Sequence, residues 1–464
     1  MFAPGLLLSI ALPALAGLPW MLAAQSRRAP GGWPLAIAYG YVLGLLITIA
    51  GMRALHLAHL PLNLFTAVLL PAFAGAIGWW RMRGAAEFAR ADARQAGATW
   101  RAMKRMTRIV CVAAFGLIVL RLTTLGAELL LRPVFPWEAV SAVAAKARVW
   151  YELGVLAPFV PPASWLEGLG NFTDTEPGAF ALPSLLLVWT AHAIGRWHEG
   201  AIGFPWWMLG ASLVLALYGH LRRAGGGVAF SLSVAYLFLS LPLVDLHIAL
   251  TGAPQWIGAT GVGLAGCALL RWLEAPSREL LYCFAIGAAL AILSMASTWP
   301  WFAIFAVAIA IRRWPRFAGK LAVGIPFLTL LALLVLLQTP LTIAGVVLQL
   351  QMVRDWGETL ESLFLLDNWH LLYGVALLVA IIGRRYVMSP LWLARTWIIG
   401  MGLGLLFVWG ALSLPGIWYG GLRDFSYAAL QFAPLLMLWA ATAARAAAFR
   451  DQQPAVAPTP AVPA

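Results

Sequence analysis

The stretch WRMRGAAEFARADARQAGATWRAMKRMTRIVCVAAFGLIVLRLTTLG, residues 80–126, decides how the chain is read. Its first half carries eight Lys and Arg residues between Arg81 and Arg108, against only Glu87 and Asp92. From 109 to 127 the chain is apolar apart from Arg121. About 20 apolar residues cross a bilayer as a helix, and basic residues beside a span stay on the cytoplasmic side. The stretch therefore reads as a cytoplasmic loop followed by an outward crossing.

The rest of the chain repeats the pattern. Of 464 residues, 62% are hydrophobic and only 11% charged, where a soluble domain carries roughly 25% charged residues. Apolar runs lie at 3–24, 33–55, 62–80, 109–127, 204–221, 226–244, 256–272, 279–298, 300–312, 319–338, 370–383, 396–414 and 427–445. The reading is an all-α polytopic membrane protein with 13 spans, N-terminus outside and C-terminus inside. Counting crossings from the 81–108 loop puts 23 of the 31 basic residues, but only 5 of the 18 acids, on the cytoplasmic side. This holds provided that the stretch 181–197 does not cross. The runs 300–312 and 370–383 are short for full crossings. The first run lacks a basic leader and reads as a retained helix, and the proline-rich tail 446–464 reads as a disordered cytoplasmic segment.

The same charge count excludes several functions. The net charge is +13, but the basic residues line one membrane face, where anionic lipid headgroups are the natural partner and nucleic acid is not. Cys111, Cys267 and Cys283 all sit in apolar runs without CxxC spacing, which argues against a disulfide framework or thiolate metal site. No Walker loop, Rossmann glycine fingerprint or HExxH motif occurs. His56 and His59 have i,i+3 spacing but no third ligand nearby, and read as interfacial.

The outer side carries the other 13 acids and a few isolated cations, Arg53, Arg132, Lys146, Arg148, Arg196, Arg354 and Arg423. Its longest loop, within 128–200, contains FPWEAVSAVAAKARVWYELG at 135–154. Pro136 suits a first helical turn and Glu138 favours the helix dipole. Arg148 and Glu152 are spaced as a surface i,i+4 pair. Trp137, Trp150 and Tyr151 suit a helix lying at the interface.

This string resembles the first outer-loop element of bacterial membrane glycosyltransferases of the GT-C superfamily, relatives of protein mannosyltransferases and of the lipid A aminoarabinose transferase. The resemblance continues in order through ALPSLLLVWTAHAIGRWHEGAIGFPWWML (181–209), LPLVDLHIALTGAPQW (241–256), SMASTWPWFA (294–303) and GIWYGGLRDFSYAALQFAPLLML (416–438). It divides the chain into three extra N-terminal helices and their basic loop (1–108), a GT-C-like module (109–445) and the tail.

The resemblance implies an inverting transfer of a sugar from a polyprenyl-phosphate donor to a cell-envelope acceptor (glycolipid, glycan or protein), at the periplasmic face of a bacterial inner membrane. A carboxylate takes the proton of the acceptor hydroxyl, and cations stabilise the leaving phosphate. By position Glu138 is the implied base, and Lys146, Arg148, Asp245, His247 and Arg423 are the implied substrate contacts. A divalent metal is compatible with this chemistry, and no other cofactor is implied. The family's second carboxylate is replaced here, at 252–256, by Gly-Ala-Pro-Gln-Trp. A non-catalytic member of the same fold is therefore an alternative. A transporter would need internal repeats and buried mid-membrane acids, and the sequence displays little of either.

Overall fold

A computed structural model describes residues 3–24, 31–82, 97–137, 139–174, 177–178, 180–343, 346–353, 357–389, 392–414 and 421–448. The chain is an all-α integral membrane protein. Its long helices are α1 (Ala3–Ala24), α2 (Gly32–Leu57), α3 (Leu64–Arg81) and α4 (Arg105–Leu131), followed by a short amphipathic α5 (Ala145–Leu153) and an apolar α6 (Leu182–Ile194). Then come α7 (Phe204–Arg223), α8 (Val228–Leu239), α9 (Pro242–Ala249), α10 (Pro254–Glu274), α11 (Arg278–Ile292), α12 (Trp299–Arg313) and α13 (Ala318–Gln338). The bundle closes with α14 (Leu372–Ile382), α15 (Leu393–Ala411) and α16 (Leu422–Ala448). Strand structure among the described residues is confined to four segments of two or three residues.

Among the described residues nine helices are long and apolar enough to cross a bilayer: α1 to α4, α7, α10, α13, α15 and α16. The pair α8 and α9 makes a tenth if counted as one span bent by 65°. The break falls at Ser240-Leu241, with Pro242 opening α9 at a position where its missing N–H costs nothing. The other three expected spans fall on α11, α12 and α14, which have 15, 15 and 11 residues.

The 13-residue helix α6 packs against the 139–144 turn and the start of α1. Near its start, Ser184 Oγ donates to the Val143 carbonyl at 2.9 Å. At its finish, a Cβ on Gly5 would lie 2.6 Å from Ile194 Cα. A few residues on, a Cβ on Gly200 would lie 2.5 Å from the Leu130 carbonyl oxygen. Gly5 opens α1 and Leu130 closes α4, so the neighbours at both ends are loop-proximal at one face. Trp189 is fully buried between them, its indole N–H donating to the Ser9 carbonyl at 3.0 Å.

In a membrane the drive for helix association is close packing rather than apolar burial. Several glycines allow it here, among them Gly44 and Gly261. A Cβ on Gly44 would come within 1.7 Å of the Pro13 carbonyl oxygen, so α1 and α2 touch backbone to backbone. A Cβ on Gly261 would meet the Ala291 amide nitrogen at 2.5 Å, which sets α10 against α11. Nearly every residue of α10 is buried, so it forms the axis of the bundle, whereas α13 buries none. The three cysteines are buried and none is in a disulfide.

Candidate functional site

Five segments, within 135–154, 181–209, 241–256, 294–303 and 421–438, meet one another at one end of the bundle. Segment 135–154 touches 181–209 through Ser184 and Val143. It touches 241–256 where a Cβ on Gly252, at φ +84°, would lie 2.9 Å from Ala139 Cβ. Segments 181–209 and 241–256 are tied by two indoles, Trp206 donating to the Ala253 carbonyl at 2.8 Å and Trp256 to the Trp206 carbonyl at 2.9 Å. Segment 416–438 meets 241–256 where the Tyr427 and His247 rings sit edge to face, 6.1 Å apart. It meets 294–303 through Gln431, which accepts from the Trp301 indole at 2.7 Å and donates to Ser297 Oγ at 3.3 Å. The Trp206, Trp256 and Trp301 bonds are buried, and the contacts join positions up to 180 residues apart.

The expected site residues fall into separate groups within this region. Glu138 lies outside the described residues. A π-helical turn at Ala139–Ala144 leads into α5, which ends on Gly154 in the left-handed region (φ +64°). There the Gly154 carbonyl accepts from the Leu62 amide at 2.7 Å and pins α5 beneath the loop between α2 and α3. Lys146 is buried on the inward face of α5 and pairs with Asp174. The loop that delivers Asp174 is fixed by a bridge between Val160 and Thr173, the Asp174 amide donating to the Val160 carbonyl at 3.0 Å. Phe159 lies under the Lys146 ammonium, 5.9 Å from ring centre to Nζ, and packs edge-on against Trp150. Arg148 points the other way and is exposed.

Beside this pair lies a cleft of about 530 Å³ lined by Arg53 and His56 from the end of α2, Lys146 and Trp150 from α5, and the loop around Pro158. Arg53 is exposed and forms no ion pair among the described residues. The cleft therefore offers one guanidinium, one imidazole and one paired ammonium, beside an indole wall: the inventory for holding an anion attached to a hydrophobic or sugar group. Among the described residues no group of three or more His, Cys, Asp and Glu side chains could hold a metal.

The second group surrounds α9. Asp245 is half-buried and pairs with Arg121 of α4 at 2.6 Å. On the other face of α9, His247 is buried and its Nδ1 donates to the Leu243 carbonyl at 2.7 Å. Arg423 stands 5.8 Å from the Tyr427 ring, so His247 and Arg423 flank the same phenol from two elements. Asp245 is thus committed to Arg121, while His247 and Arg423 are brought together.

Two participants were not assigned a role from sequence. Arg53 is one, although it carries a signal there as a cation at the acid-rich end, against the general charge bias. Arg121 is the other. Read alone it is a snorkelling arginine, and only the fold supplies Asp245, 124 residues away. A third cluster holds the back of α5, where Tyr151 packs on His192 at 4.9 Å and on Trp197 at 6.1 Å. Burial pushes the His192 imidazole down from its ordinary 6.5 to about 4 and pushes the Tyr151 phenol up, aided by Glu152.

No family model matches the chain, and neither the curated proteins nor the solved structures contain a match to it.

Proposed function

We propose that the chain is a GT-C-type membrane glycosyltransferase that moves a sugar from a polyprenyl-phosphate donor to an envelope acceptor, with inversion at C1. The observation that supports this reading is the meeting of five collinear, sequence-distant segments at the end of a membrane bundle where two of them, 135–154 and 181–209, line a cleft with Arg53, His56 and Lys146. By the charge bias of the loops, that end faces the periplasm of a bacterial inner membrane, with 13 crossings once α11, α12 and α14 are counted.

In the proposed reaction Glu138 takes the proton of the acceptor hydroxyl as its oxygen attacks C1 of the donor sugar. The C1–O bond to phosphate breaks on the opposite face, and the polyprenyl phosphate leaves carrying the electron pair. Arg53 and Lys146 offset the charge that grows on the phosphate, most strongly in the transition state. Lys146 does so while held by Asp174, which fixes its position at the cost of part of its charge. Arg423 and His247, on either side of Tyr427, are assigned to the acceptor or to the sugar. Arg148, exposed on α5, makes its contact at the lipid surface.

The test is a donor screen. Purified protein in detergent is supplied with polyprenyl-phosphate sugars and an envelope glycolipid extract, and release of polyprenyl phosphate is followed. Turnover that is lost in Glu138→Gln supports the reading, since the amide keeps the shape and loses the basicity. No binding and no turnover across the screen would remove it. A second reading, a non-catalytic member of the same fold, is favoured by the commitment of Asp245 to Arg121 and of Lys146 to Asp174. Donor binding without release of polyprenyl phosphate separates the two.

A further inference from the structure

The opposite, arginine-rich end of the bundle carries a cleft of about 760 Å³ between α8, α16 and the connection leading into α15. Behind and along its wall stands a buried cluster of arginines. Arg271 and Arg395 are 6% and 3% exposed, and both donate to the same carboxylate oxygen, Oε2 of Glu274. The Arg395 contact measures 2.7 Å, and its guanidinium lies flat on the Trp392 ring, 3.5 Å from the centroid. The Nε atoms of Arg271 and Arg395 are buried without a hydrogen-bond partner among the described residues. Arg223 pairs with Glu279. Arg445, which lines the cleft, bonds the Ala224 carbonyl and lies against Gly225, where φ is +82° and a Cβ would come within 2.7 Å of the guanidinium.

Among the described residues, four guanidiniums thus share two carboxylates, with Arg271 and Arg395 buried, Arg445 partly exposed and the Glu274 side chain 36% exposed. Removing charge from water without a counter-ion is costly, so an imbalance of this kind calls for an anion. The polar lining comes from Arg445, Thr442, Tyr386 and Glu274, the last already held by two arginines. The remainder is apolar and aromatic: Phe230 from α8, Ala444 and Ala448 from α16, and Trp392. A basic pocket between spans with an apolar flank fits an amphipathic anion rather than a free ion.

We propose that this cleft binds one anionic phospholipid, its phosphate at Arg445 and its acyl chains along Phe230 and the alanines of α16. The site stands at the other end of the molecule from the glycosyl-transfer reading and does not depend on it.

Native mass spectrometry of the full chain, released from detergent after exchange with phosphatidylglycerol, phosphatidylcholine or inorganic phosphate, tests it. The expected result is one phosphatidylglycerol retained under conditions that strip phosphatidylcholine. Retention falls at least tenfold in Arg445→Gln and in Ala444→Phe; the latter fills the apolar flank and leaves every arginine in place. Phosphatidylcholine held as firmly as phosphatidylglycerol, or unchanged retention in the stably folded Ala444→Phe variant, overturns the proposal. If inorganic phosphate displaces the lipid and itself binds the wild type but not Arg445→Gln, the anion site stands and its assignment to a lipid is overturned.

Discussion

Lys146 on α5 and Asp174 on the loop behind it form an ion pair in which neither side chain keeps more than 5% of its surface exposed. A buried pair is neutral in net worth when both partners are present, but removing one leaves a naked charge. Lys146→Met or Asp174→Leu alone should destabilise the acid-rich end by about 3–5 kcal/mol, whereas the double replacement should recover most of the loss. Thermal melting in detergent, with limited proteolysis of the 155–174 loop, measures both. A loss in the double variant equal to the sum of the two single losses would show that the pair is not coupled.

A second buried polar link joins α2 to α7. The Tyr39 hydroxyl donates to the Leu264 carbonyl at 2.8 Å and stands 2.9 Å from His220 Nε2. Both side chains are completely buried. Tyr39→Phe strands the imidazole and should cost about 1–3 kcal/mol. Adding His220→Phe should cost less than the sum of the two single changes, because the stranded group is removed. Melting temperatures of the four proteins decide this.

His192 gives the fold a pH dependence. Its imidazole titrates near 4 in the folded chain, against 6.5 when exposed, because burial disfavours its charged form. A depressed value means that the unfolded chain binds the proton more readily, so stability is intact above about 6.5 and is lost as pH falls through the interval down to about 4. His192→Leu should flatten the melting temperature over that interval relative to the wild type. Parallel slopes in the two proteins would assign the acid sensitivity elsewhere.

The contact between α1 and α2 predicts a steric effect. With the Pro13 carbonyl 1.7 Å from the Cβ position of Gly44, Gly44→Val must separate the two helices. Its melting temperature should fall well below that of Gly116→Val, where nothing lies within 4 Å of the Cβ position. A cysteine cross-link between α1 and α2 that forms equally in both variants would contradict the close approach.

Much of the fold is legible in the residues themselves. Apolar runs mark the helices because a lipid-facing backbone must satisfy its own hydrogen bonds, and the expectation that 181–197 does not cross rests on the basic clusters after it, which a further crossing would invert. The expected spans at 279–298, 300–312 and 370–383 are the hardest to delimit: they fall on the short helices α11, α12 and α14, where Pro300 opens α12 early and Gly383 follows the end of α14. Interfaces are less legible still. The exposure of α13 and the burial of α10 cannot be told from hydropathy, because lipid and protein interior favour the same residues. The candidate site was half-legible: Lys146, His247 and Arg423 were recognisable as polar groups out of place. Their partners Asp174 and Tyr427 are ordinary loop and helix residues until the fold brings them in. Arg121 and Asp245 look independent in sequence and are one unit in space.

The most direct measurement of the central claim is release of polyprenyl phosphate from a polyprenyl-phosphate sugar by wild type, Glu138→Gln and Arg53→Gln, with the anomeric configuration of the product read by NMR. The account predicts turnover with inversion by the wild type and a rate at least about 100-fold lower in Glu138→Gln, the span general-base catalysis covers. In Arg53→Gln it predicts weakened donor binding and a slower reaction. Wild-type rates in Glu138→Gln, or a product of retained configuration, would contradict it.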